Sequence, residues 1–314
     1  MRVIFLGTPE FAVPSLRALL DSSYEIRAVF TQPDRPAGRS QKEQPPPVKT
    51  CALNAGIPVF QPEKIRDPEN RPLLEDSRPD FIVVVAYGQI LPAWILQIPR
   101  FGCVNVHGSL LPAYRGAAPV AWAILNSETI TGITTMLMDE HMDTGPMLLR
   151  KEVAIDSFTT AGELAARLAD IGAELLLPTL EGLQNGTLHP VPQDDSQASL
   201  APRITKEMAL IRWDRPATAI HNQVRGLNPW PLAFTEFQGQ RIQILRSSPP
   251  GGGIAQGQGT GVFLGPSDRG MRVTCGEGSI LEILEVQAAG KKRTSGRDFA
   301  NGARIHPGQR IFGL

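Results

Sequence analysis

The sequence predicts an α/β protein, a Rossmann-like domain followed by a small OB-like β-barrel, and three observations carry that prediction. Residues 1–189 alternate short apolar strand runs with stretches of helical periodicity. Within them Asp80-Phe81-Ile82-Val83-Val84-Val85-Ala86 is apolar nearly throughout, as a parallel strand covered on both faces must be. Beyond residue 206 the texture changes to short strand runs separated by glycine-rich turns, which fits a small barrel over 207–314. Residues 190–206 lose periodicity and are rich in Pro, Gln, Asp and Ser, so they read as a linker. A chain of 314 residues holds two domains of ordinary size.

In chain order, Val3-Ile4-Phe5-Leu6 is a buried-strand run, and Gly7-Thr8-Pro9-Glu10 follows it. There Thr8 is suited to cap a helix and Pro9 to occupy its first turn. Phe11, Leu16, Leu19 and Leu20 give that helix an apolar face, and Ile26 to Phe30 returns as a strand, which is βαβ punctuation. The first turn holds a single glycine, so the dinucleotide fingerprint is missing and a nicotinamide or flavin role loses its support. Gln32 to Pro47 is polar, proline-rich and long for a connection, and no regular element is expected there. Its Arg35, Arg39 and Lys42 allow two readings: a loop lying on phosphate groups, with Arg39 as the bidentate donor, or a mobile surface insertion. Ligands of such sheets gather at the carboxyl ends of the strands, where Tyr87 to Pro92 sits. Ile90 and Leu91 there form either an apolar slot for a flat ring or the seat of the next helix.

Gly102-Cys103-Val104 reads as a strand running into Asn105-Val106-His107-Gly108-Ser109-Leu110-Leu111-Pro112. Side chains alternate along a strand, so Asn105 and His107 point the same way. An amide donor beside an imidazole that titrates near neutrality suits a carbonyl passing through an oxyanion, hence acyl or formyl transfer. A local hydrogen-bonded brace is the other reading of that spacing. A helix through Trp122, Ile124 and Leu125 and a strand over Gly132 to Met138 lead to the acidic loop Asp139 to Pro146. If that loop and the Asn-His segment lie at corresponding strand ends, Asp143 reaches His107, raises its pKa and fixes its tautomer. Asp139, Glu140 and His141 as metal ligands are the weaker alternative, because three consecutive side chains turn to one ion only with an unusual backbone. Thr159 to Leu183 is a core helix, Ala217 to Arg225 another, stopped by Asn228-Pro229-Trp230-Pro231.

Apolar residues make up 42% and charged residues 20%, no apolar run approaches a membrane span, and no cleavage signal follows the start. A soluble cytoplasmic protein is expected. Three scattered cysteines offer neither a zinc spacing nor a disulfide framework. Net charge is zero, yet Lys+Arg against Asp+Glu runs 18 to 23 over residues 1–206 and 13 to 8 over 207–314, or −5 and +5. The basic second half is compatible with nucleic acid. Gly290-Lys291-Lys292-Arg293 is its densest cluster and reads as a phosphate contact or a solvated loop.

These segments together closely resemble the methionyl-tRNA formyltransferase family over nearly the whole chain. The resemblance rests on Phe5-Leu6-Gly7-Thr8-Pro9-Glu10-Phe11-Ala12, Thr31 to Arg39, Val84-Val85-Ala86-Tyr87-Gly88, Asn105 to Pro112, Arg115-Gly116-Ala117-Ala118-Pro119 and Met142-Asp143-Thr144-Gly145. It implies formyl transfer from 10-formyltetrahydrofolate to methionyl initiator tRNA, without a metal in the chemistry, by a monomer. It implies that Asn105, His107 and Asp143 are catalytic and that Ser109, Leu110, Leu111 and Pro112 with Ile90 and Leu91 border the folate site. Arg39, Lys42, Lys291 and Lys292 are implied to contact the tRNA. Residues 1–189 would then be the catalytic domain and 207–314 the tRNA-binding barrel. This chain departs from the family's usual Gly-Arg-Gly-Lys-Lys loop with Gly38-Arg39-Ser40-Gln41-Lys42-Glu43, which is less positive. It also carries His141 where the family usually has glycine, and Gln287-Ala288-Ala289 where Gln-Pro is common. A formyltransferase for a different amine, and a non-catalytic tRNA-binding protein with this shell, are the competing readings.

Overall fold

The computed structural model describes residues 1–37, 42–249, 251, 253, 255 and 257–312. The chain divides into two compact units, one of Met1–Pro119, Ile130–Ala154 and Ala165–Pro202, the other of Val120–Thr129, Ile155–Leu164 and Arg203–Leu314.

Its first elements are β1 (Arg2–Gly7), α1 (Val13–Leu20), β2 (Glu25–Phe30), β3 (Arg35–Ala37), β4 (Lys42–Gln44), α2 (Pro47–Asn54), β5 (Val59–Phe60), α3 (Arg71–Glu75) and β6 (Phe81–Val85). They continue with α4 (Ala93–Leu96), β7 (Cys103–His107), α5 (Pro119–Leu125), β8 (Ile130–Leu137), β9 (Met147–Ala154) and α6 (Ala161–Gln184). Seven strands form one sheet in the order β5-β2-β1-β6-β7-β8-β9. From β5 to β7 the pairing is parallel, and Val3 to Leu6 of β1 are fully buried at its centre, which is why that run is apolar on both faces.

Beyond β7 the sheet turns antiparallel, and this changes how the acidic loop reaches the site. Leu137 at the end of β8 lies beside Val104 at the start of β7, so the loop does not leave from the strand end that carries His107. It has to fold back along β7. Strand β9 escaped the sequence pattern because Arg150, Lys151 and Glu152 break its alternation; on a sheet edge such charges face water and discourage further pairing.

Three local expectations are corrected. Gln32 to Pro47, read as irregular, contains the hairpin β3–β4, with Arg35 opposite Gln44 and Ala37 opposite Lys42; strands of three residues are too short to show a period. Thr8 does not cap a helix: its hydroxyl donates to the Tyr87 carbonyl at 2.9 Å, tying the end of β1 to the segment after β6, and α1 starts only at Val13. Residues 190–202 are not a free linker but part of the first unit, with Val191 bridged to Met147 and Leu200 to Arg115. A polar strap and a polar linker have the same composition, so only pairing separates them.

The second unit contains α7 (Ala217–Gly226), β10 (Phe234–Phe237), β11 (Gln240–Ser248), β12 (Phe263–Pro266), β13 (Met271–Thr274), β14 (Ile280–Ala288), β15 (Thr294–Ser295) and α8 (Gly296–Gly302). Its strands make an antiparallel half-barrel in the order β10-β11-β14-β13-β12, with β15 on β14. Trp213, Phe263, Ile283 and Phe312 pack at its centre. The free cysteines Cys103 and Cys275 are buried, and burial pushes both thiols up to about 12. Among the described residues no helix is long and apolar enough to cross a membrane.

Helix α7 buries polar side chains as well. The His221 ring donates from Nε2 to the Ser157 carbonyl at 2.7 Å and meets Ser247 Oγ at 2.8 Å through Nδ1. Burial pushes its pKa below the ordinary histidine value, the Arg225 guanidinium pushes the same way, and the bond to Ser157 opposes both. The unfolded chain therefore takes up a proton below pH about 6.5 that the folded chain refuses, so this contribution to stability is lost as pH falls through that value. His221→Gln is expected to flatten the fall of the denaturation midpoint between about pH 7 and about pH 5.5. An unchanged slope would assign that pH dependence elsewhere.

Candidate active site

Asn105 and His107 are alternate residues of β7 and share one face of the strand, 8% and 5% exposed. Asp143 comes to them from the loop between β8 and β9. Its Oδ1 lies 3.4 Å from Asn105 Nδ2 and its Oδ2 3.6 Å from His107 Nδ1. The three residues singled out in the sequence thus meet in one cluster, reached by the folded-back loop. That loop turns tightly: Asp143 has a φ of 55°, and a Cβ on Gly145 would stand 1.9 Å from the Leu137 carbonyl oxygen. Only glycine allows that approach.

His107 Nε2 lies 3.0 Å from the carbonyl of Tyr114. A carbonyl can only accept, so Nε2 carries the proton and Nδ1 is the nitrogen presented to Asp143. The tautomer is set by Tyr114 and not, as expected, by Asp143. The carboxylate is anchored separately, its Oδ2 accepting from the Gly116 amide at 2.8 Å. At 3.6 Å the Nδ1–Oδ2 separation exceeds a hydrogen bond, which leaves Nδ1 uncommitted toward Asp143. The Asp143 side chain is 15% exposed, against 6% for His107, so it is the half of the pair that water reaches.

The predicted folate border divides on inspection. Ser109 and Leu111 are fully buried; Ser109 Oγ donates to the Ala113 carbonyl at 2.6 Å, and Thr134 Oγ1 binds the Ser109 carbonyl at 2.7 Å and the Leu111 amide at 3.0 Å. Both are spent on holding the turn, which includes a cis Leu111–Pro112 peptide. Leu110 and Pro112 are half-buried and keep surface to offer. Ile90 is 72% exposed, while Leu91 is 3% exposed and packs in a core cluster with Tyr87 and Ile95.

Arg39 lies outside the described residues. Lys42 opens β4, and Lys291 and Lys292 are exposed on the turn between β14 and β15. Asp139 braces its own loop, accepting from Thr144 Oγ1 at 2.7 Å and the His141 amide at 3.0 Å. Among the described residues no group of His, Cys, Asp and Glu is placed to hold a metal ion.

Tyr114, Gly116, Thr134 and Gln193 frame the cluster, and the sequence assigns none of them a role there. Gly116, at φ 125°, is the one with a visible signal: a Cβ there would lie 2.7 Å from the Ala201 carbonyl oxygen. The others act through backbone carbonyls or partners far along the chain, which no local pattern announces.

A mixed sheet that carries this Asn-His-Asp cluster on its interior strand β7, followed by an antiparallel half-barrel, is the arrangement of a two-domain formyltransferase. Residues 1–180 match the family model described as formyl transferase and residues 203–304 the one described as formyl transferase, C-terminal domain. The methionyl-tRNA formyltransferase of Trichlorobacter lovleyi is 53% identical over 307 residues, covering 98% of this chain and 94% of that protein. That of Ruminiclostridium cellulolyticum is 47% identical over 311 residues, with 99% of both covered. The chain belongs to the methionyl-tRNA formyltransferase family. Among solved structures, WlaRD, a sugar 3N-formyl transferase determined with dTDP and 5-N-formyl-THF, superposes with a TM-score of 0.68 at 19% identity, covering 93% of this chain and 99% of its own. An N-formyltransferase from Helicobacter canadensis does so at 0.66 and 20%, covering 90% and 98%. At such identities the likeness is one of fold.

Proposed function

We propose that this chain transfers the formyl group of 10-formyltetrahydrofolate to the α-amine of methionyl initiator tRNA by direct attack of the free amine. The observation that carries the mechanism is the convergence of Asn105 Nδ2 and His107 Nδ1 on one carboxylate, at 3.4 and 3.6 Å. The substrate pair is supported by the relatives named above, which match across both units.

Asn105 donates to the formyl oxygen from Nδ2, and His107, protonated on both nitrogens, donates from Nδ1 while Tyr114 retains Nε2. As the amine nitrogen bonds to the formyl carbon, these two donors hold the charge that moves onto oxygen, in a buried setting where such bonds are strong. Asp143 takes the proton that the amine sheds, directly or through water, since its side chain is the exposed one. His107 gives its Nδ1 proton to the departing folate nitrogen as the carbon–nitrogen bond breaks. Asp143 then returns its proton to His107 Nδ1 as the pair closes from 3.6 Å to hydrogen-bond contact, and the site is reset without a covalent intermediate.

Ile90, Leu110 and Pro112 are proposed to border the folate, and Arg39, Lys42, Lys291 and Lys292 to contact tRNA phosphates. The oxyanion is served by side-chain donors, so chelation is expected to leave the chemistry intact provided the tRNA keeps its own magnesium. A cytoplasmic monomer is proposed, in keeping with aminoacylated tRNA as the substrate. Incubation with 10-formyltetrahydrofolate and methionyl initiator tRNA is expected to yield formylmethionyl-tRNA. No product with tRNA, but product with an amino-sugar nucleotide, would overturn the substrate assignment.

A further inference from the structure

Residues 191–201 form a strap behind the catalytic cluster. Val191 and Met147 exchange backbone hydrogen bonds at 2.8 Å each, beside the end of the acidic loop. Further along, Arg115 N donates to the Ser199 carbonyl at 2.8 Å and Ala201 N to the Arg115 carbonyl at 2.7 Å. Ser199 Oγ accepts from the Tyr114 amide at 2.9 Å, on the residue whose carbonyl holds His107 Nε2.

Gln193 is the strap's most committed side chain. Its Nε2 donates to the Asp143 carbonyl at 2.8 Å and to the Gly145 carbonyl at 2.7 Å. Its Oε1 accepts from Arg115 Nε at 3.0 Å and Nη2 at 2.8 Å, and Arg115, itself buried, is paired with Asp195 at 2.7 Å. Both donors and both acceptor positions of the amide are therefore used.

We infer that Gln193 is a positioning residue for formyl transfer, setting the Asp143 carboxylate against His107 by clamping the backbone on both sides of Thr144. The inference rests on Asp143 acting in the trio proposed above. Asp143 sits in the left-handed region that non-glycine residues avoid, and Gly145 is pressed against the Leu137 carbonyl, so the loop needs restraint on its backbone in addition to the Asp139 brace and the Gly116 anchor of the carboxylate. Two carbonyls converging on one point repel each other unless a group with two donors stands between them, and the amide of Gln193 is that group. Arg115 orients it from the other side by occupying the oxygen. Without the donors, Asp143 relaxes toward an ordinary backbone conformation and its carboxylate moves away from Nδ1. A displacement of about 1 Å in a catalytic group costs about a hundredfold in rate.

The test is steady-state formylation by the full chain carrying Gln193→Met, which keeps the side chain's length and removes its donors. The expected result is a kcat lower by about tenfold to a hundredfold with KM for folate within about twofold. Gln193→Glu retains acceptors for Arg115 and serves with the same expectation if the methionine variant does not fold. The readout that separates positioning from general support is the Asp143→Asn background, where either substitution is expected to cost nothing further. Wild-type kcat in a folded Gln193 variant, or an equal loss on the Asp143→Asn background, overturns the inference. Wild-type turnover by Asp143→Asn alone would overturn the trio itself, and the clamp with it.

Discussion

Asn105→Ala is expected to lower kcat by about a hundredfold or more, the usual cost of removing one oxyanion donor, about 3 kcal/mol of barrier. The loss is expected without loss of the fold. Among the described residues the Asn105 side chain makes a single hydrogen bond, to Asp143 at a long 3.4 Å, so its removal leaves no strongly bonded partner stranded. A stability change within about 1 kcal/mol is the corresponding expectation. Asn105→Asp sharpens the test because it keeps shape, removes both donors and sets a second carboxylate beside Asp143. It is expected to be at least as slow as the alanine variant. Single-turnover formylation with saturating folate, read beside thermal melts of each variant, measures both quantities. Full turnover by a folded Asn105→Ala chain would remove Asn105 from the mechanism.

The largest stability effect is expected in the second unit, from Trp213→Ala. Trp213 is 1% exposed, stacks on Phe312 with ring centroids 4.8 Å apart, and donates from Nε1 to Thr235 Oγ1 at 2.9 Å. Truncation of a buried tryptophan removes about 3–5 kcal/mol, a large share of a typical stability of about 5–15 kcal/mol. Part of that loss is polar, because Thr235 is itself buried and is left with an unsatisfied hydroxyl. Trp213→Phe separates the two contributions: the ring stack is largely kept, the donor is lost, and about 1–3 kcal/mol is expected. Urea denaturation followed by far-UV circular dichroism reads both variants. An unchanged midpoint for Trp213→Ala would contradict the packing described here.

The sequence and the structure agree most closely where information is local. Apolar runs identified β1, β6 and the core of α6, because a strand buried on both faces and a long core helix must write their burial into consecutive residues. The strip Asn105-Val106-His107 determined that an amide and an imidazole would share one face, since alternation is a property of the strand alone. The charged edge strand β9 and the three-residue strands of β3–β4 stayed hidden, being too polar or too short for any period to show.

The identity of the catalytic candidates was thus determined by the sequence, but their geometry was not. Strand direction is a pairing choice, and antiparallel β8 decided that Asp143 arrives by a loop folded back along β7. Which nitrogen of His107 faces Asp143 was decided by the Tyr114 carbonyl, and the separation of Ser109 and Leu111 from Leu110 and Pro112 by which of them Thr134 and the core absorbed. Gln193 lies 50 residues from Asp143 and 78 from Arg115 along the chain, in a stretch whose composition looked like a tether. Residue chemistry is carried one position at a time, whereas hydrogen-bond partners are assigned only when distant segments close upon each other, and in this protein that closure turns an Asn, a His and an Asp into a site.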